Sequence, residues 1–139
     1  MPERLLLDTH IWIWLMNGDA HRLGPRVLAA IEGAAEHGAV HVAAISTWEV
    51  AMLESTGRIR LAGDCLTWVR SALSAPGITL VPLSAEIAVA STRLPGNLHG
   101  EPADRILVAT ARTLDVTLVT KDEAIQRYAA DGYVPVMRA

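Results

Sequence analysis

Short apolar runs alternate with helix-spaced segments along this 139-residue chain, and that alternation restricts the fold more than any other feature of the sequence. The runs Arg4 to Leu7, Val40 to Ile45, Ile78 to Val81, Val116 to Val119 and Val134 to Val136 are short, apolar and bounded by turn residues, so they read as buried strands. The segments Pro25 to His37, Thr47 to Thr56, Asp64 to Ser74, Glu86 to Thr92, Ala103 to Leu114 and Glu123 to Ala129 carry helical spacing, as does the stretch that follows Asp8. Such an order implies an α/β fold with a central, mostly parallel sheet of four to five strands and helices on both faces. Gly24-Pro25, Ala75-Pro76-Gly77 and Leu94-Pro95-Gly96-Asn97 supply the breaks. No linker, repeat or low-complexity tract interrupts the pattern, so residues 1–139 are expected to form one domain.

The formal charge of −3 excludes a protein that grips nucleic acid through a broad basic surface alone. It does not exclude a local acidic site, and without four of its carboxylates the chain is slightly basic. Cys65 is the only cysteine, which rules out an internal disulfide and fits a reducing compartment. The apolar stretch Leu5 to Met16 is broken by Asp8 and His10, lacks a basic leader and is too short to span a bilayer. A cytoplasmic protein without a membrane anchor is expected.

Four acids stand out. Asp8 follows the first strand and, taken alone, could be a helix N-cap. Glu49 sits three residues after Ser46, a capping-box spacing. Asp104 opens a helix behind Pro102, where an acid suits the helix dipole. Asp122 lies between Thr120 and Glu123, which by spacing form a capping box of their own and leave Asp122 without a structural task. Asp8, Glu49 and Asp122 each follow the carboxyl end of an expected strand, the edge at which open parallel sheets bind ligands. Carboxylates gathered there repel one another, and a hard cation resolves the conflict. Oxygen-only ligands select Mg²⁺ or Mn²⁺ over zinc.

The segments LLLDTHIWIWL, ISTWEVA, EPADRILVATA and LVTKDEAI resemble, in order and spacing, the pattern of PIN-domain ribonucleases. His10 and His99-Gly100 are similar to the VapC-like toxin subgroup, although Glu101 stands where that subgroup commonly has Asp. The resemblance spans residues 5 to 125. It implies a PIN-like three-layer α/β/α fold and a metal-dependent endoribonuclease in which Asp8, Glu49, Asp104 and Asp122 are the catalytic metal ligands, with Thr9, Ser46 and Thr120 as supporting polar residues. It also implies a homodimer and a cognate antitoxin that blocks the acidic pocket.

On this reading Mg²⁺ activates water for attack on an RNA phosphodiester, and Arg105 and Lys121 are candidate phosphate contacts. The metal mechanism requires no histidine, so His10 and His99 are left out of catalysis. Trp12, Trp14, Trp48 and Trp68 all fall in expected helices, and not all can point inward. Two other readings keep the fold: a non-catalytic module that binds RNA or protein, and an RNA-processing nuclease that is not a toxin.

Overall fold

A computed structural model describes residues 3–139. The elements run β1 (Leu5–Leu7), α1 (Thr9–Met16), a 3-10 turn (Ala20–Arg22), α2 (Pro25–Ala35), β2 (Val40–Ala43), α3 (Ala44–Ser55), α4 (Cys65–Leu73), β3 (Ile78–Val81), α5 (Ala85–Ala90), α6 (Pro102–Leu114), β4 (Thr117–Thr120), α7 (Glu123–Ala130) and β5 (Val136–Arg138). The strands form one sheet in the order β3-β2-β1-β4-β5, and every neighbouring pair is parallel. This is the α/β/α arrangement expected from the alternation. The expected strand Val40 to Ile45 stops at Ala43, because Ala44 and Ile45 already belong to α3.

The order of the strands decides where the chemistry can sit. The chain builds outward from β1 through β2 to β3, then returns to the other side of β1 with β4. The direction of building therefore reverses between β1 and β4, which opens a crevice beyond their carboxyl ends. Asp8 follows β1 directly and Asp122 follows β4 after Lys121.

Each face of the sheet carries its own core. Leu5 and Leu7 pack with Val40 and Val42 against Trp12, Val27, Ile31 and Val50. Leu6, between them, points to the opposite layer and packs with Leu118 against Leu107, Val108 and Ile125. Burial on both sides explains why the strands read as continuous apolar runs instead of alternating ones. Trp12 is fully buried and meets Trp68 edge-on at 5.3 Å, whereas Trp48 is 55% exposed. Gly77 turns the chain into β3 at φ +83°, and a Cβ there would lie 2.3 Å from the Ala35 carbonyl oxygen. Among the described residues no helix is long and apolar enough to cross a membrane.

Because Leu6 is wholly buried in the central strand, Leu6→Ala is expected to lower unfolding stability by about 3 kcal/mol. Urea denaturation should show a lower midpoint with an unchanged slope.

Candidate active site

Asp8, Glu49, Asp104 and Asp122 line a single pocket of about 290 Å³, together with His10, Trp14 and Lys121. Four segments distant in the chain thus meet at the crevice between β1 and β4. Asp8 is the N-cap of α1, with Oδ1 accepting the Thr9 N–H at 2.7 Å. Its Oδ2 accepts the Thr120 hydroxyl at 2.5 Å, and Thr120 in turn accepts the Asp122 N–H at 2.9 Å. Thr120 therefore links the ends of β1 and β4 through buried polar atoms.

A second linkage holds Glu49. The Thr9 hydroxyl lies 2.6 Å from Glu49 Oε1 and 2.8 Å from Ser46 Oγ. With a single proton to give, Thr9 donates to the carboxylate and accepts from Ser46. The capping box expected at Ser46 and Glu49 does not form. α3 begins three residues earlier, at Ala44 and not Thr47, its N-cap is Ala43 without a side-chain cap, and Ser46 is inside the first turn. Freed from Ser46's N–H, the Glu49 side chain turns towards α1.

The box expected at Thr120 and Glu123 is also replaced. Asp122 itself caps α7, its Oδ1 accepting the Ile125 N–H at 2.9 Å, so this acid has a structural task after all. Glu123 instead faces Arg127 on the exposed side of α7, at 3.9 Å. At α6, Pro102 takes the first turn as expected, and the Glu101 N–H donates to Asp104 Oδ2 at 3.3 Å.

The two basic candidates part company. Arg105 is spent on the backbone, Nε donating to the Ser91 carbonyl at 3.0 Å and Nη1 to that of Leu98 at 2.8 Å, which ties the loop before α6 to its helix. Lys121 lines the acid pocket; its Nζ donates to the Arg22 carbonyl at 3.0 Å and lies 5.0 Å from the centre of the Trp14 ring. His99 is exposed and does not line the pocket.

Burial raises the carboxyl pKa of Asp8, an effect opposed by its bonds from Thr120 and Thr9 and reinforced by the Asp122 charge. Burial also raises Glu49, with Asp8 and Asp104 adding to the shift against the Thr9 bond. Asp104 is pushed up to about 6, first by burial and then by the charges of Asp122 and Asp8. None of these acids is in an ion pair, the one such pair among the described residues joining Arg127 to Glu123, although the nearby His10 lowers the Asp8 pKa in part.

The donor set therefore suits a hard divalent cation. Glu49, Asp104 and Asp122 each keep a second carboxylate oxygen without a hydrogen-bond partner among the described residues. No three His, Cys, Asp or Glu side chains among the described residues already stand at the spacing of a formed coordination shell. Each acid is instead turned to its own hydrogen-bond donor.

Reading the sequence missed two features of this pocket. Trp14 and His10 stand on its wall, four residues apart on α1, a spacing visible in the sequence that points to one helix face. Gly100 lies so close to Asp104 that a Cβ would come within 3.1 Å of the Asp104 Cβ; nothing local in the sequence signals that approach.

A raised carboxyl pKa means that the folded chain binds more protons than the unfolded chain between the usual value of 3.8 and about 6. Stability contributed through Asp104 must then increase as pH falls through that window. In chelator, the melting temperature of the native sequence relative to Asp104→Asn is expected to rise between about pH 7 and about pH 4; a constant difference would refute the shift. Mn²⁺ at neutral pH should raise the melting temperature of the unsubstituted protein by binding the folded state.

Comparison with known proteins agrees with this architecture. The family model described as PIN domain matches residues 5–131. Ribonuclease VapC22 of Mycobacterium tuberculosis is 36% identical over 124 residues, covering 89% of this chain and 91% of the relative. A solved structure of VapBC2 from Rickettsia felis bound to a DNA fragment from its promoter superposes with a TM-score of 0.70 at 15% identity, covering 97% of this chain and 98% of the other. VapBC-5 of Mycobacterium tuberculosis, a member of the VapBC family of toxin–antitoxin systems, gives a TM-score of 0.53 at 18% identity over 99% of this chain and 98% of its counterpart. At such identities the two structures speak for the fold, whereas the family model and the relative span most of the sequence: the chain belongs to the PIN domain family, as a VapC-like member.

Proposed function

We propose that this protein is an endoribonuclease dependent on Mg²⁺ or Mn²⁺, acting as the toxin of a toxin–antitoxin pair. The observation that carries the reading is the convergence of Asp8, Glu49, Asp104 and Asp122 on one pocket with no basic counter-charge paired to them. The identity to a protein named as a ribonuclease, across nearly its whole length, supports the same chemistry. All four acids would hold the ion.

When bound, the ion supplies Lewis acidity at the phosphate and lowers the pKa of the attacking water. The chain's own residues do the positioning. Thr120 and the Thr9 N–H fix both oxygens of Asp8, and the Thr9 hydroxyl fixes Glu49, so two of the acids are held in place before substrate arrives. Lys121, on the pocket lining, would offer a positive charge to a phosphate bound there. The water oxygen would bond to phosphorus as the bond to the 3′ oxygen breaks; the water gives up one proton to solvent and the leaving 3′ oxygen takes one up, giving a 5′ phosphate and a 3′ hydroxyl.

The partner side of the proposal draws on exposed apolar residues. Trp48 and Met52 lie one turn apart on α3, 55% and 43% exposed, and Leu66, Leu80, Leu83 and Val89 are also exposed. Faces of this kind suit a second copy of the chain and an antitoxin segment. We place the protein in the cytoplasm on the same reading.

Cleavage of end-labelled total RNA in Mg²⁺ is expected from the unsubstituted protein and to vanish in EDTA. Asp8→Asn and Asp122→Asn keep their helix caps and should lose more than about 100-fold in rate. Thr120→Val should fall within the roughly 10- to 100-fold cost of removing a ligand's hydrogen-bond partner. His10→Gln should cost far less than Asp8→Asn. Ends bearing 2′,3′-cyclic phosphate would overturn the water mechanism, and equal behaviour of native and Asp8→Asn proteins would favour a binding module.

A further inference from the structure

The acid pocket shares a wall with a second groove. His10 and Trp14 line both, and the neighbouring groove, of about 430 Å³, also carries Arg22, Arg58 and Arg60, with Asp19 as the acid on its lining. All three arginines are exposed, and none forms an ion pair among the described residues. Their backbones are held in place. Arg58 N–H donates to the Leu53 carbonyl at 2.8 Å, and the Asn17 side-chain amide, at the end of α1, donates to the Arg60 carbonyl at 3.2 Å. The Arg22 guanidinium sits 5.4 Å from the Trp14 ring centre, and Lys121 lies 5.0 Å from the same ring and bonds the Arg22 carbonyl.

Three arginines and one acid thus line one groove, four acids and one lysine line the other, and His10 and Trp14 stand on the wall the two share. In an otherwise acidic protein, a group of exposed, unpaired arginines on one groove has a use where several phosphates arrive along one chain. Arg105 is engaged with carbonyls, so the charge that holds the backbone must come from elsewhere. We propose that the groove lined by Arg22, Arg58 and Arg60 binds the phosphates of a single-stranded RNA next to the phosphodiester in the acid pocket, with Trp14 and Lys121 at the junction. The inference rests on the nuclease reading above. It adds a direction: the strand leaves the acid pocket past His10 and Trp14, along the loop that joins α3 to α4. A single strand fits better than a duplex, because an unpaired strand can bend its backbone into both clefts, the smaller of which has a volume of about 290 Å³.

The test is binding of a fluorescein-labelled oligouridylate by anisotropy in Mg²⁺, in an Asp8→Asn background that prevents turnover, from about 50 to about 200 mM KCl. Arg58→Gln/Arg60→Gln should weaken binding about tenfold and reduce the log–log salt slope by about 1.4, the value for two phosphate contacts on a single strand. Arg70→Gln/Arg93→Gln removes the same charge from exposed sites outside the groove and should leave the slope unchanged. Equal effects of the two pairs, or no effect of the first pair in a protein with a native circular dichroism spectrum, would overturn the groove. So would an Arg58/Arg60 variant that keeps its RNA affinity but loses binding to a polyglutamate peptide, which would assign the surface to a protein partner. Cleavage of RNA by the unsubstituted protein is scored separately: a groove-dependent affinity without cleavage would reject the nuclease reading and leave the phosphate track standing.

Discussion

Asp8 is 9% exposed and stands in the crevice where β1 and β4 separate, so its charge is held away from water. Removing a carboxylate from water is costly unless hydrogen bonds or an opposite charge replace the lost hydration. The Thr9 N–H and the Thr120 hydroxyl supply the bonds, but the nearest side chains on the crevice wall include three more acids and one lysine. The fold therefore brings together groups that repel one another. That conflict is the physical basis of the site, because it is relieved by a cation and by little else that these residues can offer. Thr120 carries much of the arrangement, since one hydroxyl joins Asp8, Asp122 and the ends of two neighbouring strands.

A site built this way has a second electrostatic difficulty. Carboxylates that attract a metal also repel a polyanionic substrate wherever the metal's charge does not reach. On the proposed reading the neighbouring groove answers it: the four acids line one pocket, Arg22, Arg58 and Arg60 line the next with Asp19 as its one acid, and the aromatic face of Trp14 meets Arg22 and Lys121 in between. Neither pocket needs a net basic protein. Formal charge alone consequently says little about whether such a chain binds nucleic acid.

Several features could be read directly from the residues because they arise within a few positions of one another. Buried strands in a parallel sheet are apolar on both faces, so Leu5 to Leu7 declared themselves, as did Pro102 at the start of α6. Local patterns also misled. Ser46 and Glu49 have capping-box spacing, but α3 starts earlier and Glu49 finds a better donor in Thr9, 40 residues away. Asp122 looked free of structural duty because Thr120 and Glu123 had the same spacing, yet Asp122 caps α7 and Thr120 turns to Asp8. Arg105 beside Asp104 suggested phosphate contact, but its guanidinium closes the Leu94 to Glu101 loop. In each case the competing partner lay outside the window in which spacing carries information.

The order of residues was thus enough to set the class of fold and the layer arrangement, because helical and strand periodicity and helix-start chemistry act over a few residues at a time; the four acids were singled out one by one, and only the resemblance of their motifs joined them into one set. Only the folded chain decides that these acids share a pocket, which hydroxyl holds which carboxylate, and that Arg22, Arg58 and Arg60 border the same wall. Those relations depend on strand order and side-chain direction, which arise from packing between segments far apart in the chain and leave no periodic trace within any one of them.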